Sequence, residues 1–354
     1  MIKRATHNSS WAKKGFIDDS ALKKKGIVVR DLMFYVTQRC NLRCKTCYVG
    51  NEWLSSGETY SEEEAKLILR HFGSAGLDRL TFLGGEPVLY PHITDLILLA
   101  NQFEIKERRM TTNAIELRYL DLTRLKGNEL SHISISLDGI TSEIHELIRG
   151  GGTFNKTVGN IRRLINHGFV VYGNFTVTGL NKHQAIDSVR FFKDLGVKEV
   201  NFHLVSMIGN AAKHPELYIQ PSEWVEIRKQ LESLRGVSGI TMRIPLMFVT
   251  PEKYEELING GGYYPFQKRS YHSDTGQRIV LYPNGKVYMS CDLTGTEYNF
   301  ATFRDGIFTL KDGVNELTLT ESNPENADPS SDLLSIDTQG FIRLSISYKE
   351  TIKL

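Results

Sequence analysis

Two kinds of apolar pattern alternate along the chain between residues 31 and 205. Short runs rich in β-branched and aromatic residues, such as DLMFYVT (31–37) and VVYGNFTVTG (170–179), are typical of buried strands. The segment SEEEAKLILRHFGSAG (61–76) begins with a serine cap and acidic residues and then carries an apolar face, which predicts a helix. Six strand–helix units in this order predict a parallel sheet with right-handed crossovers, either a partial barrel or an open doubly wound sheet.

The same patterns place the other elements. Strands are expected at 78–87, 105–114, 131–139 and 198–207, and helices at 92–103, 116–127, 141–149, 155–168, 183–196 and 221–236. After residue 215 the pattern becomes β-rich: 278–291 predicts a hairpin with a primed turn at Asn284-Gly285, a second hairpin turns at Asp312-Gly313, and 340–354 predicts a terminal strand. We therefore divide the chain into an extension (1–30), an α/β domain (31–215) and a smaller C-terminal module (216–354).

Composition and charge narrow the class of protein. The 354 residues are 40% hydrophobic, and no apolar run approaches the roughly 18 residues of a membrane span. The N-terminus lacks the apolar stretch of a secretory signal, so we expect a cytoplasmic protein without a membrane partner. Residues 1–30 carry a charge of +6, typical of a solvated, partly flexible arm or of a contact for an anionic partner. The rest of the chain has no basic stripe that indicates nucleic-acid binding.

Polar motifs follow four of the predicted strands. Cys40, Cys44 and Cys47 follow the first strand, Gly84-Gly85-Glu86-Pro87 the second, Thr112-Asn113 the third, and Ser136-Leu137-Asp138 the fourth. The carboxyl ends of parallel strands meet at one rim of a sheet, which is where such folds build their active sites. We therefore expect these motifs to form one site.

The cysteine run CNLRCKTC (40–47) indicates a metal site, because three of the four cysteines of a chain without a disulfide framework lie together. Three thiolates can hold three irons of a cubane cluster and leave the fourth iron open for chemistry. Two other interpretations remain: a buried stripe on a helix, since positions 40, 44 and 47 share a helical face, and a structural zinc site, which needs a fourth ligand.

The spacing Cys40-x3-Cys44-x2-Cys47 with Tyr48 after it, joined to Gly84-Gly85-Glu86-Pro87, resembles the signature of the radical S-adenosylmethionine (SAM) superfamily over residues 31–215. The resemblance implies a partial (β/α)6 barrel. It also implies one [4Fe–4S] cluster on the three cysteines and SAM on the open iron.

Further residues are implied to contact SAM by their match to the family pattern. We expect the methionine part of SAM beside Gly84, Gly85 and Glu86, where glycines let the backbone approach a ligand and a carboxylate accepts from an ammonium. The remaining expected SAM contacts are Tyr48, Pro87, Asn113, Ser136, Asp138, Arg149 and Asn174 or Thr176. The chain departs from the pattern at Ala114, where the family has glycine.

The implied reaction begins when a one-electron donor such as flavodoxin or ferredoxin reduces the cluster. SAM is then cleaved to methionine and a 5′-deoxyadenosyl radical, which abstracts hydrogen from a carbon of a peptide or small metabolite. Epimerisation, bond formation and dehydrogenation all remain open outcomes. The competing class is a metal-binding protein without enzymatic activity.

Cys291 has three interpretations. The hairpin that contains it resembles the start of the SPASM or twitch extensions, which hold auxiliary clusters on several cysteines, but here a single cysteine excludes an all-cysteine cluster within this chain. The thiol is therefore buried core, a hydrogen donor to a substrate radical as in some epimerases, or a vestigial ligand.

Overall fold

One eleven-stranded sheet forms the centre of this computed structural model, which describes residues 9–245, 247–249, 277–288, 291, 299–311 and 342–343. Its first seven strands are parallel and lie in chain order. They are β1 (Val29–Tyr35), β2 (Arg79–Leu83), β3 (Glu107–Thr112), β4 (His132–Ser136), β5 (Val171–Val177), β6 (Glu199–Leu204) and β7 (Thr241–Arg243).

Later strands extend this sheet on the far side of β1. The other strands are β8 (Phe248–Val249), β9 (Gln277–Leu281), β10 (Lys286–Tyr288), β11 (Ala301–Arg304), β12 (Ile307–Leu310) and β13 (Ile342–Arg343). Strand β9 pairs in parallel with β1, β10 to β12 follow antiparallel, and β8 pairs with β13 in a separate ribbon. Among the described strands β7 and β12 are the sheet's two ends, so the barrel is not closed. The predicted α/β class, a partial barrel with a β-rich C-terminal part, is confirmed.

Apart from one short helix that precedes β1, the helices connect the parallel strands, largely as predicted. They are α1 (Ser20–Lys24), α2 (Gly50–Ser56), α3 (Glu62–Ser74), α4 (Ile93–Ala100), α5 (Ser142–Arg149), α6 (Phe154–Asn166), α7 (Ala185–Asp194) and α8 (Pro221–Ser233). Ser61 caps α3 as expected, accepting from the Glu64 N–H while the Glu64 carboxylate accepts from the Ser61 N–H. In the described part of the chain, none of these helices is both long and apolar enough to cross a membrane.

The prediction of a helix at 116–127 is wrong, because the segment forms successive turns. The Asp121 carboxylate accepts from the Thr123 N–H at 2.9 Å and from its hydroxyl at 2.6 Å. The Thr94 hydroxyl donates to the carbonyl of Tyr119 and accepts from the Asp121 N–H. Side chains that satisfy the backbone locally in this way compete with helix formation.

The hairpin at residues 278–291 is present over β9 and β10, but its turn is not a primed one. The Gly285 N–H donates to the Tyr282 carbonyl at 2.9 Å, so the turn runs from Tyr282 to Gly285 with Pro283 second. Only Gly285 has a positive φ in this turn, +77°. Proline fixes φ near −65°, which suits the second position of an ordinary turn and excludes the primed geometry. The turn predicted at Asp312-Gly313 and most of the terminal strand lie outside the described residues.

The sheet crosses both predicted domain boundaries. Strand β7 continues the parallel order after residue 215, and β9 joins β1. Residues 9–30 are not a solvated arm, because Trp11, Ile17, Leu22 and Ile27 are buried in the main core. The Trp11 ring N–H also donates to the buried Glu64 carboxylate at 2.9 Å. The positive charge misled the prediction, since the apolar residues between the lysines decide the packing.

The two faces of the sheet differ in chemistry, as β1 shows. Leu32 and Phe34 point into the main hydrophobic core, whereas Met33 and Tyr35 belong to a separate cluster on the inner face. At the amino end of this inner face, the Asp31 carboxylate accepts from Arg79 and from Arg278, each at 2.9 Å. Ion pairs therefore occupy one end of the barrel, and the cysteine segment lies at the other.

Candidate metal and cofactor site

The cysteine segment leaves the carboxyl end of β1 as an irregular loop. Cys40, Cys44 and Cys47 are all half-buried, and none of them forms a disulfide. The Leu42 N–H donates to Cys40 Sγ at 3.4 Å, and the Cys47 N–H donates to the Cys44 carbonyl at 3.2 Å. The interpretation of a helical stripe is therefore wrong, since no helix begins between the end of β1 at Tyr35 and Gly50.

The spacing of the three thiols bears on whether the loop binds a cluster or a single zinc ion. Four sulfurs about 2.3 Å from one zinc lie roughly 3.8 Å apart in a tetrahedral site. Among the described residues, Glu62, His92 and Asp95 form the one group of three metal-binding side chains whose ligand atoms all lie within 4.8 Å of one another. The three cysteines do not meet this limit. Their donor set fits a larger iron–sulfur cluster better than one tetrahedral ion.

Gly84 and Gly85 fix the start of the loop. A Cβ atom on Gly84 would lie 2.7 Å from the Thr37 carbonyl oxygen, and one on Gly85 would lie 2.5 Å from the carbonyl oxygens of Gln38 and Arg39. The Gly85 N–H donates to the Thr37 carbonyl at 2.8 Å. The close approach that these glycines permit is that of the backbone leading to Cys40, and their contact with a ligand stays a prediction.

Glu86 joins the ends of β2 and β3. Its buried carboxylate accepts from the Thr112 hydroxyl at 2.6 Å, from the Asn113 N–H at 2.7 Å and from the Val88 N–H at 3.3 Å. Burial raises the pKa of Glu86 to about 7, although these donors act in the opposite direction. The carboxylate has three partners within the chain, so a contact with a ligand ammonium stays a prediction. Pro87 opens a short 3-10 turn directly after it.

Asn113 connects the end of β3 to the cysteine loop. Its side-chain amide donates to the Asn41 side-chain oxygen at 2.8 Å, one residue after Cys40. Ala114, which follows, has a φ of +52°, a left-handed conformation that favours glycine. Alanine therefore adopts here a backbone conformation that glycine adopts more readily.

A buried ion pair lies against Cys44. The Arg149 Nε donates to Asp138 Oδ2 at 2.7 Å, and Arg149 Nη1 lies 3.9 Å from Cys44 Sγ. The Thr176 N–H donates to the other Asp138 oxygen at 2.8 Å. The Asp138 side chain is fully buried and the Arg149 side chain is 12% exposed. Asp138 thus orients the guanidinium, whose remaining N–H groups are suited to a ligand carboxylate.

Three polar side chains lie side by side on adjacent strands. Ser136 on β4 is in register with Asn174 on β5, and Asn174 is in register with Asn201 on β6. The Asn201 amide donates to the Asn174 side-chain oxygen at 3.1 Å. Strand register therefore brings the predicted residues Ser136 and Asn174 together and adds Asn201, which the sequence analysis missed. Asn201 lies inside its strand, so no strand-end pattern marked it.

The thiols are held protonated by their surroundings in the absence of a cation. Burial, together with the Glu86 carboxylate, raises the pKa of Cys40 to about 12. Burial raises the pKa of Cys44 to about 11, against the effect of Arg149. Metal binding must displace these protons, which is the usual coupling of thiolate sites to pH.

Tyr48 and Cys291 meet on the inner face of β1. The Tyr35 hydroxyl donates to Cys291 Sγ at 3.4 Å and also hydrogen-bonds the Tyr48 hydroxyl. Cys291 Sγ lies 3.4 Å from Met33 Sδ. The predicted catalytic thiol is therefore connected through the Tyr35 phenol to Tyr48, the residue after Cys47.

The loop after β6 also contacts the cysteine loop, which the sequence analysis missed. The Asn210 side-chain amide donates to the Cys44 carbonyl at 3.0 Å, and its backbone N–H donates to the Cys47 carbonyl at 2.8 Å. Gly209-Asn210 follows a strand end, like the four predicted motifs, and this position was the signal that could have identified it.

Comparisons with known proteins agree with this geometry. Residues 34–192 match the family model described as "Radical SAM superfamily". The chain is 36% identical over 169 residues to the "Probable GTP 3′,8-cyclase" of Archaeoglobus fulgidus, covering 47% of this chain and 55% of that protein. It is 32% identical over 196 residues to the "GTP 3′,8-cyclase" of Staphylococcus haemolyticus, covering 53% of this chain and 57% of that protein. The chain thus spans little more than half the length of these relatives.

Two solved structures share the fold. Streptococcus suis SuiB bound to the precursor peptide SuiA aligns with a TM-score of 0.61 at 18% identity, over 78% of this chain and 63% of that chain. Native anSMEcpe with bound AdoMet and the Cp18Cys peptide aligns with a TM-score of 0.58 at 17% identity, over 77% and 76%. Identity this low establishes the fold alone.

Replacing Gly85 by alanine tests the contact that fixes the loop. The new Cβ would meet the carbonyl oxygens of Gln38 and Arg39, so we expect the free energy of unfolding of the metal-free protein to fall by about 2 kcal/mol. Urea unfolding measures this loss. Gly151→Ala is the matched control, because a Cβ there meets nothing within 4 Å. Equal losses in both variants would contradict the proposed contact.

His145 makes the stability of this region depend on pH. Burial and then Arg149 lower the pKa of His145 to about 4, while its Nδ1 accepts from the Asp138 N–H at 3.3 Å. The folded state therefore favours neutral histidine. The resulting contribution to the free energy of unfolding is complete above the unfolded pKa near 6.5 and is lost as the pH falls towards 4. We expect the wild type to lose about 2 kcal/mol more than His145→Asn between pH 7 and pH 5. Parallel pH profiles would refute this role.

Proposed function

Because the chain belongs to the radical SAM superfamily, we propose that it is an enzyme that binds one [4Fe–4S] cluster through Cys40, Cys44 and Cys47 and SAM beside it. In that family the reduced cluster and SAM together supply a 5′-deoxyadenosyl radical. The observation that supports this most strongly is the group of three thiols, whose sulfurs do not all lie within 4.8 Å of one another, on a loop held against Gly84-Gly85.

The chain's own residues orient and shield the proposed ligand. Arg149 offers a guanidinium beside Cys44, and Asp138 holds that guanidinium in place from a fully buried position. We propose that Arg149 binds the SAM carboxylate and that Asp138 acts through Arg149. Gly84, Gly85, Glu86, Pro87 and Asn113 form the adjoining strand ends, while Ser136 and Asn174 line the inner face where a nucleoside or substrate would lie.

The substrate is proposed to be a peptide or a small metabolite, with hydrogen abstracted from one of its carbons. The names of the relatives point to two chemistries, since the curated sequences are called GTP 3′,8-cyclases and the solved structures contain peptides. GTP is therefore the first small-molecule probe. Flavodoxin or ferredoxin is the proposed one-electron donor.

Epimerisation is favoured by the position of Cys291. Its thiol lies with Met33 and Tyr35 on the inner face of β1, where a substrate radical would form. In the proposed step the S–H bond of Cys291 breaks and a C–H bond forms on the substrate carbon. The resulting thiyl radical returns to the thiol by taking one electron from the protein donor and one proton from solvent. Bond formation or dehydrogenation would not need this thiol.

Anaerobic reconstitution with iron and sulfide tests the cofactor assignment. We expect about four irons per chain and 5′-deoxyadenosine when dithionite and SAM are added. Cys40→Ala should lose the cluster, whereas Cys291→Ala should keep about the same iron content, because Cys291 is not a proposed ligand. A colourless zinc protein that leaves SAM intact would refute the proposed enzyme.

Deuterium labelling tests Cys291 without a known substrate. In D2O the thiol carries exchangeable deuterium, so substrate-free SAM cleavage by the wild type should place one deuterium in 5′-deoxyadenosine. Cys291→Ser keeps the size and the exchangeable hydrogen but has an O–H bond too strong to donate a hydrogen atom readily. We expect mass spectrometry to show several-fold less deuterium from this variant. Equal labelling would show that the thiol is not the source of this deuterium and would count against its role as hydrogen donor.

A further inference from the structure

The loop after β6 lies unusually close to the cysteine loop. Gly209 has a φ of +60°, and a Cβ atom on it would lie 2.2 Å from the Tyr48 carbonyl oxygen and 2.6 Å from that of Cys47. Only glycine fits between these backbones, for reasons of both space and conformation. This approach places the next residue, Asn210, directly against the segment that contains Cys44 and Cys47.

Asn210 uses every polar group that faces this segment. Its backbone N–H donates to the Cys47 carbonyl at 2.8 Å. Its side-chain amide donates to the Cys44 carbonyl at 3.0 Å and to the Asn51 side-chain oxygen at 2.8 Å. Its side-chain oxygen accepts from the Asn51 N–H at 2.9 Å, near the start of α2. Asn210 is only 3% exposed, so water does not compete for these bonds.

The three cysteines are thus held from two sides. On the β2 side, the Glu86 N–H donates to the Arg39 carbonyl at 2.7 Å, directly before Cys40. On the β6 side, Asn210 fixes the carbonyls of Cys44 and Cys47 themselves. The loop has no regular secondary structure between Cys40 and Cys47, so these outside contacts must supply the order that a helix or strand would give.

We propose that Asn210 is a positioning residue that holds Cys44 and Cys47 in the arrangement that binds metal, before the metal arrives. The inference rests on the proposed function only in taking these cysteines as ligands. A loop ordered in advance loses less conformational entropy when metal binds. Residues that orient ligands from outside commonly change metal affinity ten- to a hundred-fold when they are replaced.

The sharpest change is Asn210→Asp, because it keeps the side chain's shape and replaces both N–H donors by an oxygen. That oxygen would face the Cys44 carbonyl oxygen and the Asn51 side-chain oxygen at hydrogen-bond distance. Both hydrogen bonds that the amide donates would therefore be lost. Asn101→Asp is the control for the chemistry. The Asn101 amide also donates to two carbonyls, of Ile97 and Glu129, far from the cysteine loop.

Two readouts test the proposal on the full chain. In the metal-free protein, hydrogen–deuterium exchange should rise in the peptide covering residues 41–52 for Asn210→Asp and stay unchanged elsewhere. In the reconstituted protein, a ferrous-iron chelator should remove iron at least about tenfold faster from Asn210→Asp than from wild type or Asn101→Asp. Asn51→Ala, which removes one acceptor and leaves the bond to Cys44, should give an intermediate rate.

Each outcome bears on the proposal. Loop exchange and iron loss equal to those of the wild type would overturn the positioning role. A general rise in exchange over the whole chain would also overturn it, because Asn210 would then act on global stability. If Asn210→Asp does not fold, the Asn51→Ala rate decides, and no change there counts against the proposal. Failure of the wild type to take up iron would instead refute the proposed function.

Discussion

The site depends on how closely the backbone of residues 37–39 approaches Gly84 and Gly85. No side chain fits between them, so the segment after β1 and the segment after β2 pack directly backbone against backbone. Glu86 extends the same contact to β3 through the Asn113 N–H, and Asn113 reaches back to Asn41 in the cysteine loop. A loop without secondary structure thereby acquires a defined position, and the three thiols acquire a defined spacing.

A buried ion pair supports the cysteine loop and still leaves hydrogen-bond donors available for a ligand. The Asp138–Arg149 pair is almost entirely buried, and burying charges is tolerable only when each has partners. Asp138 meets that condition through Arg149 and the Thr176 N–H, which leaves Arg149 with donors to spare beside Cys44. At the opposite end of the barrel, Asp31 joins two arginines to each other instead.

The sequence predicted those features that depend on local pattern. Strand ends, the capped helix after Ser61 and the grouping of the polar motifs at one rim all follow from periodicity and from the direction of parallel strands. What it missed depends on contacts between distant segments. Nothing near residue 120 reveals that Thr94 satisfies the backbone there. Gly209-Asn210 follows a strand end, but that position does not identify Cys44 as the partner of Asn210. The packing of Trp11 was also missed, because it depends on a contact with the distant residue Glu64 and the neighbouring lysines suggested an exposed segment.

The parallel pairing of β9 with β1 has a consequence for how the chain is made. A ribosome releases β1 some 250 residues before β9, as the residue numbers of the two strands show. During that interval the strand that leads into the cysteine loop has β2 on one side and an unpaired edge on the other. An exposed edge with residues such as Leu32 and Phe34 is a site for aggregation. In a newly made chain this edge of β1 therefore waits for its native partner until residues 277–281 have been synthesised.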